Sequence, residues 1–153
     1  MVTDELAWAL HRLALALFEV DLAVARRLGV SSVEYTAIKH VAMSDRPVGP
    51  GEIAQLVGVS SGSATELVDR LQRVGHVHRR PDPHDGRRRV VHLTPTTVRR
   101  LETELRAASV GVGELADELP PELTRSLTDV LGRLSGRLTD WARTASRPHG
   151  GVR

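Results

Sequence analysis

Apolar residues recur at helical spacing at the start of the chain. Over residues 4–28 they lie alternately four and three positions apart, which predicts a helix. Gly29 follows where a helix C-cap is expected. Ser31 and Glu34 have the spacing of a capping box, which predicts a second helix to about Ser44. The residues expected to be buried in this second helix are Val33, Ala37, Ile38 and Val41.

A second apolar seam occupies the C-terminal part of the chain. Thr94-Pro95 predicts a helix start, with a hydroxyl N-cap and proline at the first helical position. Apolar residues then alternate three and four positions apart over residues 98–119, which predicts one continuous helix that stops at Pro120-Pro121. A last amphipathic helix is predicted over about 122–145. Residues 147–153 have little to bury and are predicted to form a disordered tail.

Shorter elements lie between the two seams. Two helices, Glu52–Val57 and about 61–74, are predicted on either side of a tight turn at Gly58-Val59-Ser60, whose serine N-caps the second helix. Strand-like runs at 77–80 and 89–93 flank a stretch rich in turn formers, which predicts a hairpin. The predicted fold is mainly α with a small antiparallel β wing, a winged helix–turn–helix core between long terminal helices.

Charge is distributed unevenly along the chain. The 153 residues include 21 Lys+Arg and 19 Asp+Glu, for a net charge of +2. Residues 70–100 alone hold nine basic and two acidic residues, whereas residues 1–69 and 101–146 are net acidic. This local concentration indicates contact with a polyanion. Arginine, which accounts for all but one of the basic residues, suits phosphate and base-edge contacts, although a genome rich in G and C gives the same bias.

Composition excludes several classes of protein. The absence of cysteine excludes disulfides, thiolate zinc sites, iron–sulfur centres and cysteine redox switches. An acidic N-terminus is unlike a secretory signal, and no stretch approaches the roughly 18 apolar residues of a membrane span, so we expect a cytoplasmic protein without a membrane partner. Gly-x-Ser-x-Gly, His-Glu-x-x-His and Walker motifs are lacking, so we do not expect an enzyme.

Histidines cluster around the predicted hairpin. They are His76, His78, His84 and His92. Imidazole suits zinc, copper or nickel, but no carboxylate spacing completes a site, so we predict neither a metal nor another cofactor. Their expected role is that of polar wing residues near phosphate, with a pH-dependent affinity for DNA as the alternative.

The central motifs carry a family resemblance. They are Ile53-Ala54-Gln55-Leu56-Val57-Gly58-Val59-Ser60, Leu67-Val68-Asp69-Arg70-Leu71, Arg79-Arg80-Pro81-Asp82-Pro83, Asp85-Gly86-Arg87-Arg88 and Leu93-Thr94-Pro95. Together they closely resemble the MarR family of bacterial transcription regulators. The resemblance is specific over about residues 50–97 and rests on layout alone in the outer helices.

The resemblance implies a homodimeric repressor of a pseudo-palindromic operator on double-stranded DNA. Its domains would be an N-terminal dimerisation helix over 1–29, a winged helix–turn–helix over 30–95 and C-terminal dimerisation helices over 96–146. A small anionic aromatic ligand would release the DNA. The periodicity by itself leaves open whether the apolar seams pair within the chain or with a second copy. The alternatives in function are a non-specific architectural DNA binder, and a ligand-binding or enzymatic helical dimer that does not bind DNA.

The resemblance also assigns residues to the DNA. The recognition helix would enter the major groove, and Arg87 the minor groove, with Asp85 orienting its guanidinium. Glu66 is expected to pair with Arg70 four residues later, or else to accept from cytosine N4. Alternation along the strand puts Arg88 on the face opposite its neighbours, so that one arginine of this run packs or stays solvated. The predicted DNA-binding residues are Ser60, Ser61, Gly62, Ser63, Thr65, Glu66, Arg70, Arg73, Arg79, Asp85, Arg87 and Arg88.

A ligand pocket is expected between the dimer helices and the DNA-binding core. Its predicted lining comes from the first two helices and consists of Trp8, His11, Arg12, Tyr35 and His40, with Phe18 beside them. An arginine or histidine would pair with a carboxylate, and an aromatic side chain would stack on a ring. The alternative is that these aromatic residues are core or dimer contacts.

Overall fold

The computed structural model describes residues 2–145. It has the predicted fold class, mainly α with a two-stranded antiparallel wing. The elements are α1 (Val2–Leu28), α2 (Ser32–Met43), α3 (Pro50–Val57), α4 (Ser61–Arg73), β1 (Val77–Pro81), β2 (Arg89–Leu93), α5 (Pro95–Ala108), α6 (Val110–Glu118) and α7 (Pro121–Ala145). The chain divides after Ala108 into two compact units. The predicted tail lies outside the described residues.

Local signals in the sequence set the ends of the first four helices. Gly29, Gly58 and Gly75 all adopt the left-handed backbone conformation, with φ between 71° and 82°, where glycine alone carries no Cβ penalty. The predicted capping box at the start of α2 is formed, with the Ser31 amide donating to the Glu34 carboxylate at 2.7 Å. Helix α3 starts two residues earlier than predicted because Pro50 occupies its first turn, where proline is well tolerated.

The first unit is built around a core contributed by α1 to α5 and the wing. The four apolar residues of α4, from Ala64 to Leu71, are buried, which confirms the predicted inward face. The prediction for α2 is correct for Ala37 and Ile38 but wrong for Val33, which is 42% exposed. The buried face of α2 begins instead at Glu34 and Tyr35, because the Glu34 carboxylate has a cationic partner on another helix.

The wing is a regular hairpin that pairs with a third segment. Residues pair from Val77 opposite Leu93 to Pro81 opposite Arg89. The Val91 amide also donates to the Val48 carbonyl at 2.8 Å, so the loop before α3 lies along the outer side of β2. The wing and the helix–turn–helix are therefore joined by backbone hydrogen bonds as well as by side chains.

The predicted continuous helix over 98–119 is interrupted. Helix α5 ends at Ala108, and α6 begins at Val110. The break falls at Ser109, and the residues that follow it, Val110-Gly111-Val112-Gly113, are β-branched valines and glycines of low helix propensity. Val110 and Val112 are more than half exposed, so packing does not restore a continuous helix.

Two helices expose large apolar surfaces in the single chain. The first half of α1 exposes Leu6, Trp8, Leu13, Leu17 and Phe18. Helix α7 exposes Leu123, Leu127, Val130, Leu131, Leu138 and Trp141. Along the described part of the chain, no helix is both long enough and apolar enough to cross a membrane.

Candidate nucleic-acid interface

The N-terminus of α4 presents a group of small and hydroxyl-bearing residues. Ser60 caps the helix, since its Oγ accepts from the Ser63 amide at 3.2 Å. Ser61, Gly62, Ser63 and Thr65 are exposed around this end. The Thr65 hydroxyl donates to the Ser61 carbonyl at 3.0 Å, which leaves its oxygen lone pairs as acceptors. Exposed hydroxyls at a helix N-terminus are suited to phosphate oxygens and base edges.

Arg70, whose side chain is more than half exposed, forms an ion pair with a buried carboxylate. Its Nε donates to the Glu34 Oε1 atom at 2.6 Å, which joins α4 to α2. The predicted intrahelical pair with Glu66 is therefore wrong, because a buried carboxylate from another helix takes the guanidinium. Burial opposes ionisation of Glu34, but hydrogen bonds from Ser31 and the Arg70 charge together hold its pKa below the ordinary value.

Arg79 ties the wing to α4. Its guanidinium donates to Asp69 at 2.5 Å and to the Gln72 side-chain oxygen at 3.2 Å, both on α4. It also reaches the Thr65 carbonyl at 3.4 Å. Only about a fifth of its side chain is exposed, so Arg79 fixes the strand against the helix.

The wing tip differs from its predicted arrangement. Asp85 Oδ1 accepts from the Arg87 backbone amide at 3.0 Å, and the Asp85 carbonyl accepts from the Arg88 amide at 2.9 Å. The resemblance implies that Asp85 orients the Arg87 guanidinium, whereas it organises the backbone of the turn. Within residues 2–145 no carboxylate pairs with the Arg87 guanidinium, which is exposed.

Arg88 is bound on three sides by the protein. It donates to Asp82 at 3.1 Å, to the Pro47 carbonyl at 3.2 Å and to Glu52. It is thus the arginine of the 87–89 run that packs. The hydrogen bond from the His84 amide lowers the pKa of Asp82. Burial acts in the opposite direction and the Arg88 charge adds to the lowering, so that this carboxylate stays ionised.

Of the seven arginines between residues 70 and 89, four remain exposed without an ion pair among the described residues. They are Arg73, Arg80, Arg87 and Arg89, and we call them the unpaired arginines. Arg80 and Arg89 were not among the predicted DNA-binding residues. The signal that could have found Arg80 is strand alternation, because Arg79 faces α4 and its neighbour points to the other face of the hairpin.

The wing histidines lie in two environments. His76 is buried, with Nδ1 3.1 Å from the Thr97 hydroxyl, and burial followed by the nearby Arg100 charge lowers its pKa. His78 and His92 are cross-strand partners whose rings stack 5.6 Å apart. Among the described residues, no three histidine or carboxylate side chains come together as a metal site would require.

The residues predicted to bind a ligand are not gathered in one chain. Trp8 is 67% exposed beside His11, and Arg12 is exposed on the same part of α1. Tyr35 is buried, and burial together with the Asp21 carboxylate raises its pKa to about 12. Trp8 and Asp21 are 13 residues apart on α1, or about 20 Å at the helical rise.

The remaining ligand candidate, His40, lies near the C-terminal end of α2. It is half-buried, and burial followed by the Lys39 charge lowers its pKa. A cleft of about 260 Å³ lies nearby, between the end of α2, β2 and the start of α5. Its walls are largely apolar, with the Lys39 and Glu102 side chains among them, and none of the predicted ligand residues lines it.

A helix–turn–helix followed directly by a basic hairpin defines the winged helix–turn–helix class of DNA-binding protein. Residues 28–88 match the model of the MarR family. An HTH-type transcriptional regulator of Bacillus subtilis, YcgE, is 32% identical over 87 residues. That match covers 57% of this chain and 56% of YcgE, so the chain spans little more than half of this relative.

Solved structures share the fold over most of the chain. A MarR family protein from Bacillus stearothermophilus superposes with a TM-score of 0.71 at 19% identity, covering 90% of this chain and 96% of that one. A mutant of MepR from S. aureus, bound to an oligodeoxyribonucleotide, has a TM-score of 0.56 at 15% identity, with 86% and 96% covered. CouR from Rhodococcus jostii, bound to p-coumaroyl-CoA, has a TM-score of 0.61 at 19% identity, with 88% and 94% covered.

Proposed function

We propose that the protein is a sequence-specific, DNA-binding transcription repressor. The observation that carries this proposal is the placement of four unpaired arginines at the end of α4 and on the wing, together with exposed hydroxyls at the start of α4. Hydroxyls at the helix start can read base edges, while arginines neutralise phosphates or enter a minor groove. The DNA-bound form of MepR supports this use of the fold. Such a regulator would act in the cytoplasm, where bacterial DNA lies.

The exposed apolar faces support a homodimer. The large apolar residues exposed on the first half of α1 and along α7 are leucine, valine, phenylalanine and tryptophan, which favour burial against a partner. We therefore propose residues 1–29 and 96–146 as the dimerisation segments and residues 30–95 as the DNA-binding domain. Two recognition helices related by a two-fold axis would read a pseudo-palindrome with half-sites about 10 bp apart.

Selection of bound genomic DNA by the purified protein tests this function. We expect a pseudo-palindromic site whose affinity exceeds that for random DNA by about 10³-fold or more at physiological salt. A ratio near one would favour the architectural alternative. Absence of any salt-dependent association would favour a helical dimer that does not bind DNA.

The cleft between α2, β2 and α5 is the candidate site for an effector. Its volume of about 260 Å³ is near the lower end of the range for small-molecule sites, roughly 300–1,000 Å³. Lys39 and Glu102 are the charged side chains in a wall that is otherwise apolar and includes Met43 and Leu101. The Lys39 ammonium, which pairs with Asp21 at 2.6 Å, supplies the cation for a small anionic aromatic ligand. The complex of CouR with p-coumaroyl-CoA supports ligand binding by this fold.

Titration of aromatic acids against the DNA complex tests the effector site. We expect an effective acid to release DNA from the wild-type protein and its neutral amide to be weaker. Lys39→Met should remove this preference for the acid, whereas Lys39→Arg should keep it. Equal release of DNA from all three proteins by the acid would contradict a role for Lys39.

A further inference from the structure

Three segments of the first unit meet around the Arg88 guanidinium. One is the loop before α3, which contributes the Pro47 carbonyl. The second is the first turn of α3, which contributes Glu52. The third is the wing loop, which contributes Asp82. A single side chain on the wing therefore holds the start of the helix–turn–helix.

The backbone is closely packed at the same place. The Asp82 amide donates to the Arg88 carbonyl at 2.9 Å, and Asp82 accepts from the His84 amide at 2.9 Å. Gly49, in the loop before α3, leaves little room for a Cβ, which would lie 3.0 Å from the Arg89 carbonyl oxygen. The contacts of Arg88 thus reinforce a junction that backbone hydrogen bonds already define.

The charge of Arg88 is balanced inside the protein. Its two carboxylate partners, Glu52 and Asp82, carry more negative charge than one guanidinium can neutralise. An arginine in this setting gains little from a phosphate, because it would have to leave two charged hydrogen bonds. Arg87, one residue earlier, has no such partner among the described residues and keeps its charge available.

We propose that Arg88 is a positioning residue that fixes the wing on the start of α3 and does not itself contact DNA. This inference rests on the proposed function, since its consequence is a wing held at the right place for the DNA. It is an alternative to the sequence-based prediction that Arg88 binds DNA. It also assigns a role to Glu52 and Asp82, which bind the Arg88 guanidinium although both place negative charge beside a surface proposed to bind phosphate.

The sign of one substitution separates positioning from contact. Glu52→Gln removes a negative charge near the DNA surface, so electrostatics alone would tighten DNA binding. If Arg88 positions the wing, the same change loosens the junction and weakens binding. Arg87→Gln and Arg88→Gln supply the matched pair, because both lose one positive charge at neighbouring positions.

The experiment measures DNA affinity of the full chain across a salt series, with hydrogen exchange of the free protein. We expect Arg87→Gln to lower the slope of log affinity against log salt by about one unit, with unchanged exchange. Arg88→Gln and Glu52→Gln should keep the wild-type slope, weaken binding by about fivefold to tenfold, and speed exchange of the Val91 amide. Arg88→Lys should restore part of the affinity at the wild-type slope.

Two results would overturn the inference about Arg88. One is a slope lowered by Arg88→Gln as much as by Arg87→Gln, which would place the residue on a phosphate. The other is tighter DNA binding by the Glu52→Gln variant. This second result can be obtained even if the Arg88→Gln variant does not fold. Absence of salt-dependent binding by the wild-type protein is a different result, because it overturns the proposed function and this inference with it.

Discussion

Substitution by alanine is expected to have opposite effects on stability at Gly49 and at Gly51. Both precede or begin α3, and neither has a positive φ, so alanine is compatible with the backbone at each site. A Cβ at Gly49 would lie 3.0 Å from the Arg89 carbonyl oxygen and 2.9 Å from the Glu52 Oε2 atom. A Cβ at Gly51 would meet nothing within 4 Å. The two positions therefore differ in the space around a Cβ, and also in that Gly49 is the N-cap of α3 whereas Gly51 lies in its first turn.

The magnitude follows from what would have to move. At Gly49 the Glu52 side chain could rotate, but it would then lose its 2.9 Å hydrogen bond from the Gly49 amide. The Arg89 carbonyl belongs to the backbone of the hairpin and cannot move independently. We expect Gly49→Ala to destabilise the fold by about 1–2 kcal/mol, as overpacking does. Gly51→Ala lies in an exposed first turn and should stabilise the fold by about 0.5 kcal/mol.

Urea unfolding at a fixed protein concentration measures both effects. The concentration is held constant because association would add to the apparent stability. With a slope of about 2 kcal/mol per molar urea, the midpoint should fall by about 0.5–1 M for Gly49→Ala and rise slightly for Gly51→Ala. A midpoint for Gly49→Ala equal to or above that of the wild-type protein would refute the close packing of the loop against β2.

The remaining predictions concern charge. Arg70→Met should lower the free energy of unfolding by about 1–3 kcal/mol at pH 7, because it leaves the buried Glu34 unpaired. Since the folded-state pKa of Glu34 is lowered, this loss of stability should shrink below about pH 4.5. A loss that does not change with pH would contradict the pairing. The pKa of His76 is also lowered by burial, so the wild-type protein should lose stability as the pH falls below about 6.5, and His76→Gln should lose less over that range in urea titrations at pH 7.5 and 5.5. Each of the four unpaired arginines, changed to glutamine, should lower the salt slope of DNA binding by about one unit, whereas Arg79→Gln should not.

Most of the first unit could be predicted because its signals are local. The capping box at Ser31, the glycine at each left-handed position and the proline at the start of α5 each depend on neighbours within a few residues. Such signals survive in any tertiary context. The hairpin was equally accessible, since two β-rich runs flank a turn-forming stretch.

The errors occur where local and distant preferences compete. The three-and-four spacing of apolar residues continues through Ser109, but a spacing says only which face of a helix is apolar. The spacing does not report helix propensity, which is weak in the two glycines and two valines that follow Ser109, and the helix is interrupted at Ser109. Val33 was misplaced for a related reason, because a charged residue, Glu34, occupies the inward position that an apolar side chain would normally take.

The candidate interface was predictable in outline and not in detail. The partners of Arg70 and Arg88 include carboxylates 36 residues away in sequence, and no periodicity reveals a pair of that separation. Seven arginines between residues 70 and 89 look equivalent in the sequence. Only the folded chain divides them into three that hold the fold together and four that are unpaired.

This division changes the meaning of the basic segment. Three of its arginines are matched by Glu34, Asp69, Glu52 and Asp82, three of which lie in or next to the helix–turn–helix and one in the wing. Much of the positive charge seen in the sequence thus stabilises the DNA-binding fold from within. A count of the arginines between residues 70 and 89 would predict a steep salt dependence with about seven phosphate contacts, whereas the structure predicts about four from these residues of each chain. The measured slope of log affinity against log salt can therefore decide whether ion pairs in the free protein limit the number of phosphate contacts. If these ion pairs open when the protein binds DNA, the slope should approach the value expected for seven contacts.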